Sequence, residues 1–385
     1  MPLSRRFPGL LAGAAIIGLT AAGAVDAREL SFASGATHNS IGSKSIDVFA
    51  ETVEKHSGGE LTVKPYMQSL LSFMETPPGL RDGMADFGAV LTPYFPSEFP
   101  STTMLTELTM LLELNDTSAR EATFAFGGAI SEFVFQNCPE CLQENEKQNQ
   151  VFLGIAGSTP YNLLCNKPVR SLEELDGKRV RTGGPQWSRW ATELGASPVS
   201  MAVNDTYEGL GQGVIDCTAH NMPDLTSFNF IEVVSDITLG VPGGIYGGIG
   251  THMNADAWAS LDSPQREAVL HGAAAIAAEI AVLYVEDHHT NMKLVKDMED
   301  IDVYQADQAL TDRTRAFIKN DLAAVAALYQ DRYNLERADT MIAEFRELLG
   351  QWVDKVADVN TREELTKLYW QEAFSNVDVD AYGLR

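Results

Sequence analysis

Apolar and polar positions change period repeatedly over residues 171–224 (SLEELDGKRVRTGGPQWSRWATELGASPVSMAVNDTYEGLGQGVIDCTAHNMPD). Ser171 and Glu174, three apart, read as a capping box that opens a short helix ended at Gly177. Residues 178–182 (KRVRT) read as a strand, Gly183-Gly184-Pro185 as a tight loop, and 187–194 as a helix stopped at Gly195. Residues 198–202 (PVSMA) form the next strand. Asp205 and Glu208 form a second capping box, whose helix ends by Gly213, and 214–218 (VIDCT) is the third strand. Strands joined by helical crossovers predict a parallel sheet. Ligands of such sheets sit beyond the carboxyl ends of the strands. Arg181 stands at one such end, next to glycines and a helix start that favour an anion. A guanidinium there is placed to hold a carboxylate or phosphate; the plainer alternative is a surface arginine paired with a nearby acid. Arg179 shares the strand face, but Arg181 is nearer the end.

The first part of the chain repeats this order. Strands are predicted at 29–34 (ELSFAS), 60–66 (ELTVKPY) and 87–91 (FGAVL), with helices at 44–56 and 74–83 between them. Ile46, Phe49, Ala50 and Val53 give the first helix its apolar face. Two similar units predict an α/β protein of two lobes with a ligand between them. The loops after the first-lobe strands then face the cleft, which nominates His38, Asn39 and Tyr94. Residues 150–155 form a strand that crosses to the second lobe, followed by Tyr161 and a strand at 162–166. The glycine-rich run 237–253 (ITLGVPGGIYGGIGTHM) reads as a strand returning to the first lobe. Long helices are predicted at 255–300 and 310–359, the latter with Trp352 on its apolar side, packed along the back. The expected division is residues 28–153 and about 243–285 in lobe one, 154–242 in lobe two, and helices over about 255–385. No chemical motif stands in 361–385.

Residues 1–27 are set apart from this pattern. Arg5 and Arg6 precede an apolar run at 10–24, and Val25-Asp26-Ala27 is a cleavage site, so a secretory signal peptide is expected. The run is too short and too rich in Ala and Gly for a spanning helix, and Phe7 directly after the arginines makes a poor twin-arginine match. No later stretch reads as a membrane span, so the mature chain is expected outside the cytoplasm and not inserted.

The 385 residues carry 53 acidic and 28 basic side chains, a net charge of -25. Without a basic patch, such a chain is excluded from binding nucleic acid or anionic lipid. An anionic ligand approaches against this field, so its site must be locally positive.

Cys138-Pro-Glu-Cys141 suggests a local disulfide in an oxidising compartment. A redox-active pair calls for the start of a helix that follows a strand, whereas this one follows a helix-like segment at 122–135. Zinc lacks a second pair at ligand spacing. Cys165 and Cys217 are either buried thiols or a second bridge. His288 and His289, adjacent on a helix, point about 100° apart and make no metal pair. No nucleotide motif and no G-x-S-x-G occurs, and no cofactor is expected.

The segments GKRVRTGG, ELGASPVSM and YEGLGQGVIDC, with HSGGELTVKPY and LRDGMADFGAV in the first lobe, resemble one known family. It is the extracytoplasmic solute-binding proteins of tripartite ATP-independent periplasmic (TRAP) transporters, the DctP-like family. Asp256-Ala257-Trp258, Leu261 and Pro264-Gln265-Arg266 resemble the opening of its long helix, and the likeness runs from about residue 28 to 300. The resemblance implies a hinged two-lobed (type II-like) fold in which a strand arginine, here Arg181, forms a salt bridge to the substrate carboxylate. A family asparagine falls near His220-Asn221, so either points into the cleft. Where sugar-acid binders carry another arginine, Tyr161 stands, which favours a smaller or less charged acid; the CPEC segment and the acidic C-terminal extension also depart from the shortest members.

Beside each role stands a plainer one. Trp187 stacks on the ligand or packs on the sheet, Tyr161 and Tyr94 bond the ligand or wall the cleft, and Asn221 or His220 caps a loop. The expectation is a periplasmic module, not an enzyme, that captures a small carboxylate and delivers it to TRAP membrane subunits. Three alternatives remain: a zwitterion whose onium group meets aromatic faces, a thiol oxidoreductase using Cys138 and Cys141, and a sensor that presents its closed form to a receptor.

Overall fold

The computed structural model describes residues 1, 27–114 and 117–384. The expected signal peptide therefore lies, but for its two end residues, outside the described residues. Strands follow in chain order as β1 (Arg28–Ser34), β2 (Leu61–Met67), β3 (Phe87–Leu91), β4 (Gln150–Ala156), β5 (Asn162–Cys165), β6 (Arg179–Thr182), β7 (Ser197–Ser200), β8 (Cys217–His220), β9 (Asp236–Leu239), β10 (Ile249–Asn254) and β11 (Asp302–Gln305). They form two mixed sheets, ordered β2-β1-β3-β10-β4 and β11-β9-β5-β8-β6-β7. In the first, β1 runs parallel to β2 and β3 while β10 is antiparallel to β3 and β4. In the second, β6 is parallel to β7 and β8, and β5 is antiparallel to β8 and β9. The molecule is thus an α/β protein with two lobes, each built on its own sheet.

The 237–253 run is two strands rather than one. β9 stays in the second sheet, β10 enters the first, and a loop with a cis Val241–Pro242 peptide joins them. Residues 302–305, expected in a helical region, form β11 and pair with β9 in parallel. Asp205 does not cap the helix Thr206–Gly211, because the 3-10 turn Val203–Asp205 already places its backbone in the helical region. Ser171 does cap, accepting from Glu174 N at 3.2 Å, but Glu174 reaches back to Arg170 N rather than Ser171 N.

The helix Ser263–Lys296 has the length and apolarity of a membrane span, which the sequence reading did not anticipate, yet 94% of its apolar window is buried inside the protein. It packs closely on the helix Ile41–His56. A Cβ at Gly272 would come within 2.6 Å of Val53, so only glycine allows this approach. The tail is structural. Tyr369 in the helix Arg362–Glu372 donates to Phe124 O and Tyr382 to Phe152 O, each at 2.7 Å, tying it to the first lobe.

All four cysteines are bridged, as Cys138–Cys141 and Cys165–Cys217. The second bridge joins residues that face each other in register on β5 and β8. Cys138 and Cys141 are fully buried at the junction between the helices Ala119–Asn137 and Pro139–Lys147, where thiol exchange has no access.

Candidate functional site

Topology alone brings the expected residues to one edge. β6 and β8 run parallel, so Arg181 and His220 both lie near carboxyl ends. β5 runs the other way, pairing Asn162 with His220, which puts Tyr161 beside them. Opposite stand the carboxyl ends of β1 and β3, from which Ser34, Ala36, Leu91 and Tyr94 reach the same space. The cleft between the lobes holds about 790 Å3, counting its open mouth. Its walls are mostly apolar, with Phe32, Ile41, Phe73, Phe228, Ile276 and Ile280 among them.

Arg181 is fully buried. Its Nε donates to Met201 O at 3.0 Å and its Nη2 to the Tyr94 hydroxyl at 2.7 Å. Among the described residues, Nη1 has no hydrogen-bond partner and no carboxylate forms an ion pair with this guanidinium. A buried cation left this way is costly unless an anion joins it. Glycine follows closely: a Cβ at Gly183 would crowd Nη1 at 3.1 Å. Arg181 stands one layer behind the cleft wall, screened by Tyr94 and Tyr161, which do line it. Arg179, by contrast, lies at the exposed start of β6 and spends its charge on Asp216, with Nη2 to Oδ1 at 2.9 Å.

Trp187, in the first turn of the helix Pro185–Glu193, packs inside rather than reaching the cleft. Its ring stacks on Tyr161 with centroids 4.3 Å apart, and its Nε1 donates to Gly243 O at 2.9 Å. Tyr161 stacks on His220 with its other face, centroids 5.1 Å apart. The same helix is anchored from behind, where Arg189 donates to Glu107 and to Asp321 at 2.6 Å each.

His220 and Asn221 are both buried cleft residues. Asn221 Nδ2 donates to Asp224 Oδ2 at 2.9 Å and its Oδ1 accepts from Asp224 N at 3.1 Å, so it braces the loop while lining the cleft. His220 Nδ1 lies 2.8 Å from Asp224 Oδ2, although the ring N–H is angled off that line, and Nε2 has no partner among the described residues. Burial pushes the His220 pKa down, against the pull of Asp224, and the charge of Arg181 pushes it down further.

His38 and Asn39 are the exception. They are exposed at the outer tip of their loop, where Asn39 takes a positive φ of 64°, and the cleft is lined instead by their neighbours Ala36 and Ser40. Tyr246, Asp224 and Tyr284 escaped the sequence reading. Tyr246 is the one tyrosine in the glycine-rich run, and its buried hydroxyl also lacks a partner among the described residues. Asp224 follows His220 at i+4, a spacing that could have flagged it.

Among the described residues, four hydrogen bonds clasp the lobes across the cleft. Tyr94 accepts from Arg181 and from Val203 N (3.0 Å), Asn204 Nδ2 donates to Gly35 O (2.9 Å), and Thr37 Oγ1 donates to Ser227 O (2.6 Å). Among the described residues no group of acidic, His or Cys side chains is arranged to hold a metal.

The architecture is shared with solved proteins. A TRAP solute-binding protein from a marine metagenome, specific for aromatic acid ligands and in complex with 3-hydroxybenzoate, is 20% identical with a TM-score of 0.70, covering 85% of this chain and 99% of that one. A TRAP periplasmic solute-binding protein from Bordetella bronchiseptica with bound mandelate is 22% identical with a TM-score of 0.67, covering 84% and 99%. A solute-binding protein of Roseobacter denitrificans is 33% identical over 118 residues, 30% of this chain and 35% of that protein. One of a Sulfitobacter species is 30% identical over 95 residues, 24% and 29% of the two chains. The chain thus spans about a third of the length of the curated relatives it matches. The model of the family described as bacterial extracellular solute-binding protein, family 7, matches residues 32–334, and the chain belongs to that family, whose members are receptors for solutes rather than enzymes.

Proposed function

We propose that this protein captures a small organic carboxylate with an apolar body in the periplasm and hands it to the membrane subunits of a TRAP transporter. The observation that supports this most is Arg181, a fully buried guanidinium with one unpartnered Nη1 and no acid paired to it among the described residues. A ligand carboxylate bound against the Tyr94 and Tyr161 hydroxyls that screen the guanidinium would supply the missing negative charge across them, with the Tyr246 hydroxyl as a further donor. Water excluded by lobe closure strengthens that pair. Binding acts by shifting an open-to-closed hinge equilibrium. The apolar walls suit an acid with a hydrocarbon or aromatic body better than a sugar acid, consistent with Tyr161 at the position where sugar-acid binders carry arginine. The relatives solved with mandelate and 3-hydroxybenzoate bind acids of that kind.

The onium alternative is less well served. Trp187 does not reach the cleft and Tyr161 is covered by Trp187 and His220, so these two rings give a cation no open face, and an onium group would have to meet Phe32, Phe73 or Phe228 in the wall instead.

The test is a thermal-shift and calorimetric screen of small monocarboxylates on wild type and Arg181→Met. Truncating one side of a desolvated charge pair costs about 2–5 kcal/mol, so affinity should fall by about thirtyfold or more. Equal affinity in the variant would refute the role of Arg181. Deleting the genes for the membrane subunits should abolish uptake of the same acid; unchanged uptake would favour the sensor.

A further inference from the structure

The cleft wall contains a second buried polar atom without a partner among the described residues, Nε2 of His220. We propose that His220 forms a donor-reading subsite, with Nε2 accepting a hydrogen bond from a hydroxyl or N–H on the ligand, so that preferred solutes are organic acids bearing such a donor on their apolar body. This rests on the carboxylate reading of Arg181 and narrows it.

His220 is the last residue of β8, is only 3% exposed, and lines the cleft. Its plane is fixed by Tyr161 on one face and by the edge contact with Phe230, centroids 5.3 Å apart. The Asp224 carboxylate 2.8 Å from Nδ1 favours the proton on that nitrogen, which leaves Nε2 as a lone-pair acceptor. Nε2 has no partner among the described residues. A buried acceptor without a donor is costly, and a ligand donor relieves that cost. Asp224 is not itself the reader. Its Oδ2 accepts from Asn221 Nδ2, lies 2.8 Å from His220 Nδ1 and interacts with Tyr284, so it biases the imidazole tautomer instead.

Anion and donor are therefore read by different groups. Arg181, Tyr94 and Tyr246 form the end that meets the ligand carboxylate, and His220 stacks on Tyr161 at 5.1 Å. A site built to bond a ligand hydroxyl rejects the analogue that lacks it, because its own polar group is then left unpaired.

The experiment measures calorimetric affinities of two matched pairs, 3-hydroxybenzoate with benzoate and mandelate with phenylacetate. Wild type, His220→Phe and His220→Gln are compared. Phe keeps the stacked ring without an acceptor, and Gln keeps an acceptor. Wild type should prefer the hydroxylated member of at least one pair by about tenfold or more. His220→Phe should bring that ratio to about one while holding the deoxy acid within about threefold, and His220→Gln should restore part of it. Should the Phe variant not fold, 15N-histidine NMR of wild type decides, since the Nε2 resonance of His220 should move with the hydroxylated acid and not with its partner. Equal affinities within both pairs, a preference that survives in His220→Phe, or an unmoved Nε2 resonance would overturn the proposal while Arg181-dependent acid binding still stands. If none of the four acids binds wild type, the carboxylate reading fails and this subsite fails with it.

Discussion

Arg181 Nη2 donates to the Tyr94 hydroxyl at 2.7 Å, and the two residues belong to different lobes. Val203 N, also in the second lobe, donates to the same oxygen at 3.0 Å. With two donors on its oxygen, the Tyr94 hydroxyl has its own proton left to give, and its ring lines the cleft. Tyr94 thus couples closure to ligand. Tyr94→Phe removes both cross-lobe bonds and the donor. A hydrogen bond to a charged group is worth about 1.5–3 kcal/mol, so ligand affinity should drop by about tenfold or more. Small-angle scattering of the ligand-free variant should show a larger radius of gyration. Unchanged affinity together with unchanged scattering would show that the contact is incidental.

The same guanidinium carries a cost in the unliganded protein. Replacing a poorly paired buried charge with an apolar side chain of similar length is often stabilising, by about 1–4 kcal/mol. Ligand-free Arg181→Met should therefore melt higher than ligand-free wild type, by about 2 °C for each kcal/mol in a chain of this size. The acid-induced rise should vanish at the same time. A variant that is less stable yet still responds to acids would contradict both the strain and the role.

The position of the cleft was legible before the structure, and the reason is local. Arg181, Trp187, His220 and Asn221 lie in a stretch where strands, turns and helix starts follow one another with their own signals, so topology could be built from it, although only His220 and Asn221 of the four line the cleft. The glycine-rich run 237–253 gave no such punctuation, and β9 and β10 were merged although they serve different sheets. β11 was missed because Asp302–Gln305 lies between long helices and the strand it pairs with, β9, is far away in sequence. His38 and Asn39 were nominated by lobe symmetry, which fixes the loop that faces the cleft but not which side chains turn inward. Tyr246 and Asp224 acquire their roles only through tertiary neighbours. Asp205 shows the limit of a pairwise motif, because a preceding 3-10 turn already set its backbone.

The two disulfides should differ in weight. Cys165 and Cys217 are 52 residues apart, Cys138 and Cys141 only 3. By the chain-entropy relation, the long loop is worth about 4 kcal/mol and the short one about 1.5 kcal/mol. Guanidinium unfolding of the Cys165→Ala/Cys217→Ala pair should therefore show the larger loss of midpoint. That bridge also holds β8, the strand that ends in His220, to β5. The reverse ranking would mean that packing around the buried Cys138–Cys141 junction outweighs loop closure.

Glu144 gives a pH dependence whose sign can be fixed. Its carboxylate is buried and accepts from Ser101 N at 2.6 Å and Thr102 N at 3.3 Å, where the helix Pro100–Glu107 begins. Burial raises its pKa to about 7, with the Ser101 and Thr102 hydrogen bonds only partly opposing. The unfolded chain has an ordinary carboxyl, at 4.5. Between these values the folded state holds the proton and the unfolded state releases it, so stability falls as pH rises from about 4.5 to 7 and levels off above. The total is on the order of 3 kcal/mol. Glu107 and Glu113, also raised mainly by burial, add slopes of the same sign, so wild type alone cannot isolate this residue. Glu144→Gln can, because the amide mimics the protonated acid and does not titrate. The stability difference, variant minus wild type from urea unfolding, should be small near pH 4.5 and grow in favour of Gln up to pH 7.5. A difference that stays flat or shrinks over that interval would mean that the backbone N–H groups stabilise the carboxylate enough to offset its burial.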